Sequence, residues 1–204
     1  MSEYLLETHE DGVCTLTMNR PEARNAMSGP MMAALNEAVP RVAADPSVRC
    51  VVLTGAAGAF CAGGDVKATY TTGMAYRKGH TDESVLTVFY GEEYRFNRQL
   101  FHYSKPVIAL MNGITMGGGY GVAGPCRYKI ASETTLFAMP EVAIGFFPDI
   151  GSAYYLNKGP GETATYLGVT GNRIKASDML FCDLADYYIP TKDQDDLIQA
   201  LKGA

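Results

Sequence analysis

The sequence is short of basic residues, and this shortage limits the kinds of partner that the protein can bind. Its 204 residues include 17 lysines and arginines against 22 aspartates and glutamates, which gives a formal net charge of −5. A nucleic-acid-binding protein normally presents a basic face. The composition therefore argues against a nucleic-acid partner, although a local basic spot for the phosphates of a small ligand is compatible with it.

Paired cysteines are also missing. The five cysteines are odd in number and include no C-x-x-C pair. This spacing argues against a disulfide framework and against a zinc site, and unpaired cysteines are typical of a reducing compartment. The five are Cys14, Cys50, Cys61, Cys126 and Cys182.

Long apolar runs are absent as well. No run of residues approaches the length of a membrane span. Residues 1–7 are acidic and too short in apolar content for a signal peptide. We therefore expect a cytoplasmic location and no membrane association.

The sequence also lacks a recognisable nucleophile motif. Ser152 does not lie in a G-x-S-x-G elbow, and the three histidines have no motif around them. Residues 119–124 match the G-x-G-x-x-G pattern of dinucleotide-binding proteins. However, the match begins eight residues beyond Met111 and Pro125 follows it at once, so it does not fit the tight strand-to-helix turn of such a site.

What is present is enough apolar content, 47%, for one good core. We expect residues 1–204 to form a single domain. Residues 4–9 and 13–18 flank a turn dipeptide and predict an opening β-hairpin. Ser28 is predicted to cap a helix that Pro46 stops.

Two segments in the first half of the chain have less regular patterns. Residues 67–81 show no clear period and are predicted to form a flexible, lid-like insertion. From residue 82 or 83 to Tyr103, apolar residues such as Val85 recur at helical spacing. They predict a long amphipathic helix with Gly91 as its weak point.

A buried strand and a triple glycine form the centre of the sequence. Residues 105–111 carry six consecutive apolar positions and stop at an Asn-Gly turn signal, which predicts a buried strand. The downstream glycine turn, Gly117-Gly118-Gly119, then leads into a predicted helix. Backbone N–H groups at a helix start have no intrahelical acceptor, so they can donate to an oxyanion.

A second turn of the same kind lies earlier in the chain. The upstream glycine turn, residues 59–65, follows a predicted strand at residues 49–55 and has the sequence Ala-Phe-Cys-Ala-Gly-Gly-Asp. Two such turns can each direct one N–H group at a single oxygen. This is the geometry needed to stabilise a thioester carbonyl as it gains negative charge.

Three segments together resemble the crotonase (enoyl-CoA hydratase/isomerase) superfamily: residues 60–65 (FCAGGD), 113–119 (GITMGGG) and 137–141 (FAMPE). Residues 145–151 (GFFPDIG) are most similar to the 3-hydroxyisobutyryl-CoA hydrolase branch. The resemblance covers residues 4–190. It implies an α/β crotonase-like fold of repeated ββα units, an acyl-CoA substrate and a place in valine catabolism. Family members continue through further helices that build trimers, so the resemblance leaves open a C-terminal truncation and a homo-oligomer.

The resemblance also implies binding residues. The backbone N–H groups of Ala62 and Gly118 are the expected oxyanion donors, while Gly117 and Glu93 are expected to bind the acyl part, Glu93 near its hydroxyl. For Glu93 and Arg24, a solvent-exposed position is the alternative. The coenzyme A end is expected to lie against Arg24, Ala26, Asp65 and Val66.

Glu141 and Asp149 are the candidate catalytic acids. Two carboxylates in one water-poor pocket cannot both ionise freely, so acid and base roles can coexist. By composition alone both would be surface loop residues, but the adjacent Phe146 and Phe147 and the resemblance favour the catalytic interpretation. The hydratases of the superfamily have a further acid where this chain has Gly121, so the sequence favours thioester hydrolysis over hydration.

In the expected reaction, Glu141 attacks the thioester carbonyl or orients the attacking water, and Asp149 is the acid/base partner. The acyl group is expected to be short and 3-hydroxylated. No metal and no redox cofactor is expected, and coenzyme A enters only as part of the substrate. Two other interpretations stay open: an enoyl-CoA hydratase or isomerase, and a non-catalytic acyl-CoA-binding or interaction module.

Overall fold

The computed structural model describes residues 2–82, 84 and 86–203. Strands and helices are interleaved along this part of the chain, which confirms the predicted α/β class. The strands are β1 (Leu5–Glu10), β2 (Val13–Met18), β3 (Cys50–Gly55), β4 (Val107–Met111), β5 (Ile114–Met116), β6 (Tyr128–Ala131), β7 (Leu136–Ala138), β8 (Ile174–Lys175) and β9 (Tyr187–Tyr188). The α-helices are α1 (Gly29–Ala44), α2 (Val66–Arg77), α3 (Gly91–Phe101), α4 (Gly118–Ala123), α5 (Ser152–Leu156), α6 (Thr163–Thr170), α7 (Ala176–Phe181) and α8 (Gln194–Lys202).

The strands of the described residues form two sheets. The larger has the order β1-β2-β3-β4-β6-β9 and the smaller the order β5-β7-β8. β1 and β2 form the predicted antiparallel hairpin around Asp11 and Gly12, both of which have positive φ. From β2 to β9 the pairs are parallel, so the carboxyl ends of these strands lie at one edge of the sheet.

The central strands β3 and β4 are buried on both faces. On β3, Val51 and Leu53 belong to the larger apolar core, whereas Val52 and Cys50 belong to a smaller cluster that α8 covers. Side chains alternate between the two faces of a strand. A continuous apolar run is therefore what a parallel sheet covered on both faces requires, and both predicted buried strands are confirmed.

Helix α1 has the predicted start. The Ser28 side chain accepts a hydrogen bond from the Met31 N–H at 3.4 Å and so caps the helix. Pro40 lies inside the helix, which continues to Ala44. The apolar residues recur at three- and four-residue spacing, so one face of the helix packs into the larger core. The buried residues are Met31, Met32, Leu35, Ala38, Val39 and Val42.

The flexible insertion predicted for residues 67–81 is wrong for most of its length. Val66–Arg77 form α2, which the Asp65 carboxylate caps by accepting a hydrogen bond from the Ala68 N–H at 2.9 Å. Every residue of this fully described helix is at least partly exposed. Because a helix without a buried face needs no apolar period, the sequence pattern did not indicate it.

The predicted long amphipathic helix is present as two consecutive parts. Leu86–Tyr90 form a π-helical turn, and α3 begins at Gly91, the predicted weak point. Glu83 and Val85, in the predicted first turn, lie outside the described residues. The buried residues of α3 are Glu93, Phe96 and Leu100.

The last third of the chain is more finely divided than the sequence indicates. Two short helices, α5 and α6, follow one another there, and the two-residue strands β8 and β9 were not predicted. Strands this short carry no period that a sequence pattern can show. Among the described residues, no helix is both long and apolar enough to cross a membrane.

Candidate active site

The downstream glycine turn joins β5 to α4. Gly117 has a φ of 51° and a ψ of −126°, which favours glycine, and its N–H donates to the Ala138 carbonyl at 3.0 Å. Gly118 then begins α4, where N–H groups have no intrahelical acceptor. The Gly118 N–H has no hydrogen-bond partner within the described part of the chain. It is therefore available to a ligand oxygen.

The upstream glycine turn lies directly against the downstream one. Cys61 and Thr115 form an isolated parallel bridge, in which the Cys61 N–H donates to the Ile114 carbonyl at 2.9 Å. A Cβ atom placed on Gly63 would lie 3.5 Å from the Gly118 nitrogen. The two turns, which are more than fifty residues apart in sequence, therefore form one surface, as the sequence predicted.

The upstream turn presents a different free N–H group from the expected one. The Ala62 N–H donates to the Arg24 carbonyl at 3.0 Å, so this group is already used within the fold. That bond corrects the expectation that Ala62 supplies an oxyanion donor. Gly64 lies opposite Met27 in a parallel bridge, and its N–H has no acceptor among the described residues. In this turn the N–H groups of Gly64 and Phe60 both have no acceptor among the described residues. Gly64 is the one adjacent to Gly63, which faces the Gly118 nitrogen.

Glu141 lies beside the downstream turn. It belongs to a 3-10 helix, Pro140–Ile144, that follows β7, and only 8% of the residue is exposed. A Cβ atom on Gly117 would lie 2.7 Å from Oε1 of Glu141, while Oε2 is buried without a partner among the described residues. Burial raises the pKa of Glu141 to about 7, and the Asp149 carboxyl contributes to the rise. The carboxyl can therefore exchange a proton near neutral pH.

Glu93 brings a second carboxyl to the same turn. It is buried in α3, with 3% of the residue exposed, so the solvent-exposed alternative is wrong. A Cβ atom on Gly118 would contact Oε1 of Glu93 and Cε of Met27, so the Glu93 carboxyl lies directly against this glycine. Burial, together with the Asp149 and Glu141 carboxyls, raises the pKa of Glu93 to about 8. The neutral form of Glu93 is favoured at neutral pH.

Asp149 completes a group of three carboxyls. Its Oδ2 accepts a hydrogen bond from the Tyr94 hydroxyl at 2.6 Å. Burial raises the pKa of Asp149, and the hydrogen bond from Tyr94 opposes this rise. Asp149 also lines a cavity of about 520 Å³ between α3 and α5, whose walls include Phe101 and Tyr154.

Gly121 shows why this chain has no fourth acid at the site. A Cβ atom placed on Gly121 would lie 2.9 Å from Cβ of Ile150 and 3.2 Å from Nδ2 of Asn97. The space that a side chain at this position needs is therefore occupied. The three carboxyls reach the site from α3 and from the segment that follows β7 instead.

The residues expected at the coenzyme A end lie around an arginine that the sequence reasoning missed. Arg20 donates from Nη1 to the Ala26 carbonyl at 3.2 Å and to Oδ2 of Asp65 at 2.7 Å. Arg24 is exposed, with a φ of 52°, and Val66 is 55% exposed. Arg20 lies in an irregular loop after β2, and no motif or period singles it out.

Glu7, His9 and Cys14 form the kind of side-chain cluster that can hold a metal ion, which the sequence did not indicate. Their ligand atoms lie within 4.8 Å of one another. However, the Arg41 guanidinium donates to both oxygens of Glu7 and, with His9, lowers the pKa of this carboxyl to about 2. Burial also raises the pKa of the Cys14 thiol to about 12, so the thiol stays protonated. The cluster is better described as an ion pair at the sheet edge.

Sequence comparisons relate this chain to known proteins. The family model described as "Enoyl-CoA hydratase/isomerase" matches residues 13–204. The chain is 41% identical over 192 residues to 3-hydroxyisobutyryl-CoA hydrolase 1 of Arabidopsis thaliana, covering 93% of this chain and 49% of the relative. It is 40% identical over 203 residues to 3-hydroxyisobutyryl-CoA hydrolase, mitochondrial, of Xenopus tropicalis, covering 92% and 51%. The chain thus spans about half the length of these relatives.

Solved structures of the same fold confirm the predicted architecture. An enoyl-CoA hydratase from Rhodobacter sphaeroides superposes with a TM-score of 0.90 at 36% identity, covering 98% of this chain and 58% of that one. A carnitinyl-CoA dehydratase from Mycobacterium thermoresistibile superposes with a TM-score of 0.88 at 37% identity, covering 99% and 58%. The crotonase-like fold that the resemblance implied is therefore correct.

Proposed function

This chain belongs to the enoyl-CoA hydratase/isomerase family, and we propose that it hydrolyses the thioester of a short 3-hydroxyacyl-CoA such as 3-hydroxyisobutyryl-CoA. The observation that carries the proposal is the position of buried carboxyls, Glu93 and Glu141, against the glycine turn whose Gly118 N–H is free. The names of the similar curated proteins support the same substrate class.

In the proposed reaction, the thioester oxygen accepts hydrogen bonds from the N–H groups of Gly118 and Gly64. This oxygen gains negative charge when the carbonyl carbon becomes tetrahedral. Loss of one such donor costs about 3 kcal/mol of transition-state stabilisation in other enzymes. The bridge between Cys61 and Thr115 holds the two turns together, so the donors need no rearrangement when the charge develops.

Glu141 starts the proposed reaction at the carbonyl carbon, because it lies next to Gly117. Its carboxylate either forms an acyl anhydride or takes a proton from the water that attacks. In both routes the carbon–sulfur bond breaks, its electron pair goes to the sulfur, and a proton exchanged through Asp149 yields the free thiol. One water is consumed, and one carboxylic acid and one thiol are formed.

Glu93 supplies the proposed selectivity for a 3-hydroxyl group. Because its pKa is raised to about 8, the carboxyl is mainly neutral at pH 7 and can donate a hydrogen bond as well as accept one. A buried carboxylic acid left without a polar partner loses stabilisation. A substrate hydroxyl can act as that partner beside Gly117 and Gly118.

The proposal also includes a binding surface for coenzyme A, the absence of a cofactor, a cellular location and an oligomeric state. The coenzyme A end lies along Arg24, Ala26, Asp65 and Val66, with Arg20 as the nearby cation. Carboxyls and backbone donors suffice for hydrolysis, so no metal or redox cofactor is part of the mechanism. We propose a cytoplasmic enzyme that forms homo-oligomers, although the name of the Xenopus tropicalis relative includes "mitochondrial".

Hydration of an enoyl-CoA is the second candidate, because the superposed structure from Rhodobacter sphaeroides is that of an enoyl-CoA hydratase. The resemblance indicates that hydratases use an acid at the position of Gly121. In this chain Ile150 and Asn97 occupy the space beside Gly121. The geometry therefore favours hydrolysis over hydration.

The deciding experiment offers both kinds of substrate to the purified protein. We expect 3-hydroxyisobutyryl-CoA or 3-hydroxypropionyl-CoA to release free thiol, measured with a thiol reagent. Crotonyl-CoA should keep most of its enoyl absorbance. Rapid loss of that absorbance without thiol release would establish the hydratase alternative. Binding of an acyl-CoA with neither reaction would indicate a binding module or an incomplete catalytic unit.

A further inference from the structure

The hydrogen bond between Tyr94 and Asp149 joins two segments that are far apart in the sequence. Tyr94 lies in α3, and Asp149 lies in the loop before α5, 55 positions later. The phenol oxygen and Oδ2 are 2.6 Å apart. A hydroxyl that donates to a carboxylate at this distance forms a short, charge-assisted bond, which favours the ionised form of the acid.

Asp149 needs such a partner because burial disfavours its ionised form. Two carboxyls, Glu93 and Glu141, interact with it electrostatically, and both have raised pKa values. Its own pKa is also raised by burial, and the Tyr94 hydroxyl lowers it. The other titratable groups around the cavity or interacting with Asp149 are Tyr90, Arg98, Tyr154 and Tyr155.

We propose that Tyr94 is a positioning residue that orients Asp149 and keeps it as the ionised member of the three carboxyls. Glu93 then holds its proton more readily, while Glu141, with a pKa of about 7, can still lose its proton and react as the attacking carboxylate. As far as it concerns turnover, this inference rests on the proposed function. The orientation and ionisation of Asp149 do not depend on that function.

Tyr90 provides a matched control for Tyr94. It lies one turn earlier on the same helical segment, and its ring is 6.1 Å from the Tyr94 ring and stacks on Phe146 at 5.8 Å. Its hydroxyl has no hydrogen-bond partner among the described residues. Tyr90→Phe and Tyr94→Phe therefore remove the same atom from the same surroundings, but only the second removes the bond to Asp149.

The direct test is a carbon-13 NMR titration of aspartate side-chain carboxyls in the whole chain, with the Asp149 signal assigned by its absence in Asp149→Asn. We expect Tyr94→Phe to raise the pKa of Asp149 by about one unit, because the ionised form loses its donor. Tyr90→Phe should leave that pKa within a few tenths of a unit. No shift in Tyr94→Phe, or equal shifts in both variants, would overturn the inference.

Kinetics on the hydrolysed substrate give the second readout. We expect kcat to fall roughly tenfold in Tyr94→Phe, and the acidic limb of the pH profile to move upward with the pKa of Asp149. A fall in kcat with an unmoved acidic limb would mean that Tyr94 acts through packing alone, and it would contradict the proposal. If the wild-type protein hydrolyses no thioester, the proposed function fails, and the NMR titration still decides the role of Tyr94.

Discussion

The candidate site has two halves that are built from different chemistry. In the backbone half, the glycine turns present the N–H groups of Gly64 and Gly118, which carry no titratable proton and are held by the ladder between Cys61 and Thr115. In the carboxyl half, Glu93 and Glu141 are buried and Asp149 is partly buried, and the Asp149 carboxyl contributes to the raised pKa values of both glutamates. The backbone half should therefore depend on geometry alone, whereas the carboxyl half should depend on pH.

The two turns of the backbone half also differ from each other. The downstream turn begins a helix at once, so its first N–H group at Gly118 is free for a general reason. The upstream turn reaches its helix only at Val66. A hydrogen bond to the Arg24 carbonyl and a β-bridge to Met27 determine which of its N–H groups are free. Similar glycine motifs therefore do not imply the same donor position.

The largest expected effect comes from replacing a carboxyl of the carboxyl half by an amide of the same size. Glu141→Gln should lower the rate of thiol release by roughly a thousandfold, because positioned acid–base groups contribute factors of this order. Asp149→Asn should cause a loss no larger than that of Glu141→Gln. The rate of thiol release from 3-hydroxyisobutyryl-CoA measures both effects.

Glu92→Gln is the matched control for these substitutions, since Glu92 lies beside Glu93 but pairs with Arg95 at the surface of α3. It should retain wild-type turnover. Near-normal hydrolysis by Glu141→Gln would remove Glu141 from the mechanism.

A smaller loss of turnover is expected when one N–H donor of the backbone half is removed. Gly118→Pro deletes one donor, while proline is well tolerated at the first position of a helix. We expect turnover to fall on the order of a hundredfold at every pH, since no titrating group is removed. Turnover measured from pH 6 to 9 tests both the size of the loss and its independence of pH.

Two variants separate donor loss from other effects at this turn. Gly118→Ala keeps the N–H group but places a Cβ atom against Glu93 and Met27, so it measures crowding alone. Cys61→Ser alters a buried side chain of the other turn and should largely spare activity. Equal losses in Gly118→Pro and Cys61→Ser would argue against a backbone oxyanion site.

The smallest expected effect is on the free energy of unfolding, whose dependence on pH reports the ionisation of the carboxyl half. The pKa of Glu93 is about 8 in the folded chain, against 4.5 for an unperturbed glutamate. Between these values the folded protein binds a proton that the unfolded chain has released, so the free energy of unfolding falls as pH rises from about 4.5 to 8. Glu93→Gln should reduce this fall, as measured by urea unfolding at pH 5 and pH 9.

Glu92→Gln again serves as the control and should leave the pH dependence unchanged. Glu141 contributes to the same fall over a narrower range, since its pKa is about 7. If the free energy of unfolding falls with pH as steeply in Glu93→Gln as in the wild type, the buried, neutral state of Glu93 is contradicted.

Local sequence patterns predicted the elements whose cause is local. The buried strands β3 and β4 follow from apolar runs, the start of α1 follows from Ser28, and the glycine turns follow from their own residues. Glu141 was a candidate because residues 137–141 resemble a motif of the crotonase superfamily. In each case the residues that determine the structure lie within a few positions of the feature.

The missed features depend on contacts between distant segments. Whether Ala62 or Gly64 has a free N–H group is decided by hydrogen bonds to Arg24 and by a bridge to Met27, more than thirty positions earlier. The hydrogen bond from Tyr94 to Asp149 likewise joins separate segments. Helix α2 was missed for another reason, since none of its residues is buried and it carries no apolar period.

The contact between Gly121 and Ile150 has a consequence for the evolution of this site. An acid gained at position 121 by a single mutation would clash with Ile150, whose Cβ lies 2.9 Å from the position of the new Cβ atom. A smaller residue gained first at position 150 would leave a void beside Asn97, with no catalytic benefit. A change from three carboxyls to a hydratase-like set of acids therefore requires two substitutions, of which neither is advantageous alone. The residues at positions 121 and 150 are therefore coupled by packing, and neither can be replaced by a larger side chain independently of the other.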